Sequence, residues 1–162
     1  MLYRKVRFNP DYNNLHTTEE NKRNDTYTVA DINGYCALSH IAGYDTTPLY
    51  QAYNPSNDRY FTTARRNRYR SLEDKFLKDE NSPICYVLQN TNGMDPADYM
   101  PIYMVSSKDM GCAAVNSLAD VRYLIKTRKV EGWKFDNVNH YTFKFNDTCS
   151  RPKPDPKGKC PE

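Results

Sequence analysis

The sequence contains no long apolar run, a single tryptophan and only three histidines among its 162 residues. Because no stretch approaches the roughly 20 apolar residues of a membrane span, we expect no membrane insertion. The histidines lie far apart and no two cysteines follow C-x-x-C spacing, so the sequence predicts no metal site. A phosphate-binding loop, a dinucleotide fingerprint and a Gly-x-Ser-x-Gly element are also missing from the sequence. We therefore expect neither a cofactor nor an enzyme.

The charge of the chain is nearly balanced. Its 23 Lys and Arg residues against 20 Asp and Glu residues give a net charge of +3, which alone does not indicate a nucleic-acid partner. Hydrophobic residues make up 38% of the chain and charged residues 27%, a composition typical of a folded domain. A chain of this length buries about 70% of its unfolded surface and fits one domain.

Five cysteines are present, namely Cys36, Cys85, Cys112, Cys149 and Cys160. The last two bracket the segment SRPKPDPKGK, which has almost nothing to bury. A disulfide between Cys149 and Cys160 would therefore hold a tail, residues 148–162, that would otherwise fray. The odd number leaves at least one thiol free or paired between chains, and the pairing among the first three cysteines stays open.

The cellular location is predicted from two features. The N-terminal segment MLYRKVRFN has no apolar core of a signal peptide, so the chain is either cytosolic or a mature form. The sequons beginning at Asn24 and Asn146, together with the predicted disulfide, favour a secreted glycoprotein.

Two stretches of the chain repeat one pattern. LYRKVRFNPDYNNLHTT near the N-terminus and PLYQAYNPSNDRYFTT from Pro48 place an Asn-Pro pair at the same distance from a Thr-Thr pair. A weaker third copy begins at Pro101. The internal repeat predicts a single domain, residues 1–147, built of three units at about residues 2–47, 48–100 and 101–147.

Each unit predicts a hairpin followed by a short helix. Alternation in LYQAY, turn residues after Asn-Pro and the β-prone run RYFTT indicate two paired strands. The helix signals are a capping box at Thr17 and Glu20, helical spacing of Tyr69, Leu72 and Phe76, and Ser117 before the apolar stripe of Leu118, Val121, Leu124 and Ile125.

One such unit cannot bury both a hairpin face and a helix stripe by itself. Three units that close around an axis cover each other and remove exposed strand edges. The sequence therefore predicts a mostly β fold with short helices, a pseudo-threefold, β-trefoil-like globule; the alternative is an α+β arrangement of the same units. We expect Trp133, Tyr35, Tyr86 and Tyr141 in its core, because equivalent positions in repeats usually pack.

These repeats resemble a family of unknown function with the pattern LYRxYNP, DHxYTT and GWxYEG, found in secreted bacterial and fungal proteins. The match is best in PLYQAYNPSNDRYFTT and weakest in the third unit, where GWKFDN from Gly132 survives. The resemblance implies a lectin-like, trefoil-type binding module rather than a catalytic domain. The Asp-His pair of the family is replaced here by Asp58-Arg59, Asn13-Asn14 and Gly111-Cys112.

The hairpin turns of the first two units carry the side-chain types of a sugar site. An aromatic face suits the C–H side of a sugar ring, and planar amides or carboxylates suit its hydroxyls. The candidates are Asn57, Asp58, Arg59 and Tyr60 in the second unit, and Tyr12, Asn13, Asn14 and His16 in the first. The competing interpretation is that Asn and Asp stand in these turns for backbone reasons.

The segment RYFTTARRNRYR, from Arg59 to Arg70, gives an alternative site for an anion. Arginines interleaved with aromatic residues can hold phosphates or sulfates and stack on bases. On a helix, Arg66 and Arg70 would share one face and Arg65 would lie near it. A solvated helix face explains the same pattern, because acidic residues follow directly.

The function predicted from these features is a secreted, carbohydrate-binding, lectin-like protein without catalytic activity. Its expected partner is a glycan or glycoprotein. One alternative is a secreted effector that binds a target protein, as a protease inhibitor or a receptor ligand does, because fold does not decide function. The other is a heparin- or RNA-binding module that uses the arginines between residues 59 and 70.

Overall fold

The computed structural model describes residues 1–7, 13–23, 27–108 and 111–145. Within them the chain forms nine strands: β1 (Tyr3–Arg7), β2 (Asn13–Thr17), β3 (Thr28–Ile32), β4 (Thr46–Asn54), β5 (Arg59–Thr63), β6 (Cys85–Leu88), β7 (Tyr99–Ser107), β8 (Gly111–Val115) and β9 (Lys134–Phe143). The predicted tail disulfide, Tyr12 and both sequons lie outside the described residues.

The strands form two antiparallel sheets with the orders β2-β1-β3 and β5-β4-β6-β9-β7-β8. In every predicted unit, the first strand of the hairpin pairs with its return strand on one side and with a third strand on the other. The larger sheet arises because β6 and β9 pair where Leu88 lies opposite Tyr141. The prediction of a mostly β fold is confirmed, whereas these pairings do not confirm a threefold trefoil.

Two short α-helices follow the hairpins of the second and third units. Helix α1 spans Arg66–Arg70 and helix α2 spans Leu118–Arg122, which continues as a π-helical turn over Tyr123–Thr127. Single 3₁₀ turns occupy Pro96–Asp98 and Lys129–Glu131. The predicted start of α2 is confirmed, because the Ser117 hydroxyl accepts a hydrogen bond from the Asp120 N–H at 3.1 Å.

The helix predicted from Thr17 and Glu20 is wrong. Residues 18–23 form turns, and the Thr17 hydroxyl accepts the Glu19 N–H at 3.0 Å instead of capping a helix. The buried Lys5 ammonium donates hydrogen bonds to the backbone carbonyls of Glu20, at 2.7 Å, and Lys22, at 2.6 Å. These carbonyls therefore bind a side chain from β1 rather than helical N–H groups.

The return strands of the three hairpins, β2, β5 and β8, contact one another. His16 of β2 is fully buried among them, with its Nδ1 3.1 Å from the Thr62 hydroxyl of β5 and its Nε2 3.2 Å from the Ala114 nitrogen of β8. A polar side chain thus joins three strands that come from three different units. Buried polar groups of this kind are costly unless they are paired, as this imidazole is.

The aromatic residues predicted in the core divide into two groups. Trp133 is buried and donates its indole N–H to Glu131 Oε1 at 3.0 Å, as its amphipathic ring requires. Tyr35 and Tyr141 are half-buried and pack against the core cluster of Leu88, Phe143 and Phe145, so their placement at the core is confirmed in part. Tyr86 is half-buried as well, with its ring 4.5 Å from that of His40.

A disulfide joins Cys36 of the first unit to Cys85 of the second, with 6.0 Å between the Cα atoms. It packs in a small core cluster with Leu2 and Leu49, and this settles a pairing that the sequence left open. Cys112 is a buried free thiol. Among the described residues, no helix is long and apolar enough to span a membrane.

Candidate functional site

The predicted ligand residue Asp58 lies in the turn between β4 and β5 and adopts a left-handed backbone with a φ of 55°. Its carboxylate accepts the Tyr53 hydroxyl at 2.7 Å, both oxygens lie 3.2 Å from Arg23 Nη2, and Arg7 donates a further hydrogen bond. Partial burial would raise the pKa of Asp58, but the hydrogen bonds from Tyr53 and Arg7 and the nearby guanidinium charges hold it below its ordinary value.

The partners of Asp58 tie two units together. Arg7 and Arg23 come from the first unit, and each guanidinium lies 5.4 Å from the centre of the Tyr27 ring. Asn13 donates its side-chain amide to the Tyr27 hydroxyl at 3.0 Å and also to the backbone carbonyl of Asp58. The Asp58 carboxylate is therefore occupied in holding the two hairpins together.

We expect Asp58→Asn to lower the free energy of unfolding by about 2 kcal/mol, because charge-assisted hydrogen bonds from two arginines are weakened. Asparagine tolerates the left-handed backbone, so the change isolates the charge. The matched control is Asp74→Asn, which removes one negative charge from an exposed side chain. Urea unfolding of both variants measures the effect, and equal losses in the two would contradict this role of Asp58.

The first-unit counterparts of the predicted sugar site are inside the protein. Asn13, Asn14 and His16 are each at most 1% exposed. Asn14 accepts a hydrogen bond from Arg4 Nη1 at 2.8 Å, and the other two make the inter-unit contacts described above. Asn13 and His16 therefore hold the units together, Asn14 holds Arg4 within the first unit, and all three side chains are buried away from solvent.

The remaining hairpin candidates lie nearer to solvent. Tyr60 is half-buried against Tyr53, with 4.8 Å between the ring centres. Asn57 is exposed, Arg59 is buried, and both line a pocket of about 340 Å³ that also borders Arg68. The second-unit turn therefore contributes to one end of a longer groove rather than forming a site alone.

A pocket of about 830 Å³ lies beside α1. We call it the arginine pocket; its polar lining comes from Arg65, Arg66, Arg68, Asn67, Gln89 and Asn139. A third pocket of about 330 Å³ shares Arg65, Arg68 and Asn139 with it, and Phe61 connects that third pocket to the first. Because neighbouring pockets share these lining residues along β5 and α1, we refer to the three together as the groove.

The end of β5 is positioned by β9. Asn139 accepts the Ala64 N–H at 2.9 Å, and the Thr63 hydroxyl accepts the Arg65 N–H at 3.1 Å. These two bonds replace a side-chain cap, which α1 does not have. Tyr69 holds α1 against β4 by stacking on Tyr50, with 4.7 Å between the ring centres and 15° between the planes.

The arginines of the segment are held in different ways. Arg66 donates through Nε to the Tyr50 hydroxyl at 3.0 Å, and Arg70 forms an ion pair with Glu80 at 2.6 Å. Arg68 lies over the Phe61 ring, 4.9 Å from its centre. Arg65 reaches the Val138 carbonyl at 3.4 Å. Of the predicted anion-binding residues, Arg65 and Arg66 line the arginine pocket, and Arg70 does not.

The rest of the pocket lining combines polar, aromatic and apolar side chains. It includes Thr46, Thr47, His40 and the half-buried ring of Tyr141. His40 is fixed by a 2.9 Å hydrogen bond between its Nδ1 and the Thr46 hydroxyl, and its ring lies 4.5 Å from that of Tyr86. These residues therefore add hydroxyls, an imidazole and a phenol ring to the lining of the pocket.

Three titratable groups of catalytic type, His16, His140 and Cys112, are not part of the lining of this groove. Burial lowers the pKa of His16 to about 3, with a further contribution from the Arg4 charge, and burial lowers that of His140 to about 3. Burial raises the pKa of Cys112 to about 12. Within the described ranges, no group of three His, Cys, Asp or Glu side chains could hold a metal ion.

Sequence reasoning missed the amides of the arginine pocket. Asn67 lies inside the predicted arginine segment, but Gln89 follows β6 and Asn139 lies on β9. In the sequence, Gln89 and Asn139 are marked only by their position at or beside β-strands, and this does not distinguish pocket residues from other surface amides. Comparison of the chain with protein-family models, with curated proteins and with solved structures gives no match.

Proposed function

We propose that the protein is a secreted, non-catalytic, carbohydrate-binding protein whose site is the arginine pocket. The supporting observation is the pocket itself: about 830 Å³ lined by side-chain amides, hydroxyls and guanidinium groups, with the ring of Tyr141 in the same lining. That volume lies within the range of small-molecule sites, roughly 300–1,000 Å³. Amides can donate to and accept from neighbouring sugar hydroxyls, and an aromatic ring suits the C–H face.

The proposed site differs in place from the one that the hairpin residues first suggested. Asp58 is occupied by Tyr53 and two arginines, so its carboxylate has little capacity left for sugar hydroxyls. Asn57 and Arg59 remain at the far end of the groove, where an extended chain could reach them. The mutual contacts of β2, β5 and β8 support our further proposal that the units close around a pseudo-threefold axis.

Secretion is supported by the Cys36–Cys85 disulfide, because such bonds persist in oxidising compartments. It would also fix the strand β6 from which the pocket residue Gln89 follows. A preorganised pocket loses less conformational entropy when a ligand binds.

A glycan array tests the proposal when the wild type is compared with the double variant Asn67→Ala, Gln89→Ala. Both side chains are exposed and line the arginine pocket. We expect the wild type to bind a defined set of saccharides, and the variant to bind them about tenfold more weakly, because two hydrogen bonds are lost.

The matched control is Asn81→Ala, Asn92→Ala, which removes two exposed amides outside the pocket. Its binding should equal that of the wild type. An array without any bound saccharide, or an equal loss in both double variants, would contradict a carbohydrate site in this pocket.

A further inference from the structure

The geometry points to an anionic saccharide as the ligand of the arginine pocket, one that carries a sulfate or a carboxylate. This inference rests on the proposed carbohydrate function and specifies its substrate class. It places the charged group beside Arg65 and Arg68, and the uncharged part of the saccharide against the amides and the Tyr141 side of the pocket.

The charge of the pocket is the first argument. Three arginines line it, and among the described residues its lining holds no carboxylate. One of the three, Arg66, lies 3.9 Å from the Glu80 carboxylate, so the uncompensated positive charge is that of Arg65 and Arg68. The whole chain carries a net charge of only +3, so positive charge is concentrated here rather than spread evenly. A concave surface lined by one sign of charge attracts ligands of the opposite sign.

The arrangement of two arginines is the second argument. Arg65 and Arg68 are exposed, and neither forms an ion pair with a carboxylate among the described residues. Arg65 is directed by the Val138 carbonyl and Arg68 by the face of Phe61. Guanidinium groups held in this way present planar pairs of N–H donors, which match the oxygens of a sulfate or carboxylate.

Neighbouring cations that are neutralised provide a contrast. Arg70 is bound to Glu80 and lies outside the arginine pocket, and Lys75 is 3.2 Å from Glu73. In the proposed anion site, Arg68 therefore takes the place that sequence reasoning gave to Arg70.

The groove also predicts the direction of a longer chain. The third pocket shares Arg65 and Arg68 but includes Asp136, whose carboxylate accepts the Ser106 hydroxyl at 3.1 Å. Negative charge there disfavours a second anionic group. A saccharide should thus place its charged residue in the arginine pocket and extend a neutral residue toward Asp136.

Binding of matched probes tests this inference with the intact protein. The probes are oligogalacturonate and its methyl ester, and dextran sulfate and unsubstituted dextran, each pair equal in chain length. We expect the charged member of at least one pair to bind at least about tenfold more tightly, a difference of about 1.4 kcal/mol. Its affinity should fall between about 50 mM and about 200 mM NaCl, because salt screens exposed charges.

Variants locate the effect. Arg65→Gln, Arg68→Gln should weaken binding of the charged probe by about 10-fold or more, and the Lys double variant at the same positions should lose less, since it keeps the charge but not the fork. The control Lys126→Gln, Lys129→Gln removes the same two charges from exposed side chains outside the groove. The control should change affinity by less than about twofold.

The outcomes separate the two proposals. Equal affinity for charged and neutral probes, still weakened by Asn67→Ala, Gln89→Ala, would overturn the anionic substrate class and leave the carbohydrate function standing. Binding of single-stranded RNA without binding of any saccharide would overturn both. The placement of the anion would be overturned if Lys126→Gln, Lys129→Gln lost as much affinity for the charged probe as Arg65→Gln, Arg68→Gln.

Discussion

Breaking the Cys36–Cys85 disulfide is expected to lower the free energy of unfolding by about 4 kcal/mol. The two cysteines are separated by 49 residues in the sequence, so the bond closes a long loop in the unfolded chain and removes much of its conformational entropy. Cys85 is also buried in the cluster that joins the first two units. The loss should therefore appear as a lower urea midpoint for the whole domain.

Two comparisons separate the stabilisation that comes from the disulfide bond from the stabilisation that comes from packing of the cysteine side chains. The variant Cys36→Ala, Cys85→Ala should lose far less stability on reduction than the wild type, because only the predicted tail disulfide between Cys149 and Cys160 remains to be reduced. Cys112→Ala truncates a buried thiol that forms no disulfide, so we expect it to cost only about 1 kcal/mol. A wild type whose stability does not change on reduction would contradict a stabilising disulfide at this place.

Acidification from pH 7 to pH 5 is expected to cost about 3–4 kcal/mol of stability through His16 and His140 alone. Burial, with a smaller contribution from the Arg4 charge, lowers the pKa of His16 to about 3; burial, with a smaller contribution from His16, lowers that of His140 to about 3. In the unfolded chain both pKa values return to about 6.5.

The sign follows from which state binds protons. Between about pH 6.5 and about pH 3 the unfolded chain is protonated at these histidines and the folded protein is not, so protons stabilise the unfolded state. The free energy of unfolding is therefore not reduced by these histidines near neutral pH, and it falls progressively as the pH falls through this window. His16 sits among β2, β5 and β8, so its protonation opposes the packing of all three units.

Urea unfolding at several pH values measures the effect. His140→Gln should reduce the slope of stability against pH between about pH 6.5 and pH 5 by about half, because one of two titrating groups is removed. His40→Gln changes an exposed histidine and serves as the control. An unchanged slope in His140→Gln would show that other groups cause the acid sensitivity.

Local signals predicted the hairpins and the start of α2, because these depend on neighbours in the sequence. Strands β4 and β5 pair from Tyr50 opposite Thr63 to Asn54 opposite Arg59, as the turn after Asn-Pro indicated. The capping box after β2 failed for a long-range reason. Lys5 of β1 binds the carbonyls that a helix would have used, and no local pattern shows that contact.

The site was predictable in part for the same reason. The arginines lie within a few residues of one another in the sequence, so their cluster could be predicted, whereas Asn139 and Ala64 are 75 residues apart. Asp58 was predicted as a ligand residue because a carboxylate suits sugar hydroxyls and this one stands in a hairpin turn beside an aromatic residue. Its partners Arg7 and Arg23 come from another unit, and only the folded structure brings them to its carboxylate.

The most direct test of the central claim is an NMR titration of isotope-labelled protein with the saccharide that binds best on the array. We predict that the side-chain amide signals of Asn67, Gln89 and Asn139 shift first and saturate together, because all three line the arginine pocket. The signal of Asn81, which lies outside the pocket, should stay in place. Shifts confined to the turn around Asp58, with the pocket amides unchanged, would contradict the account.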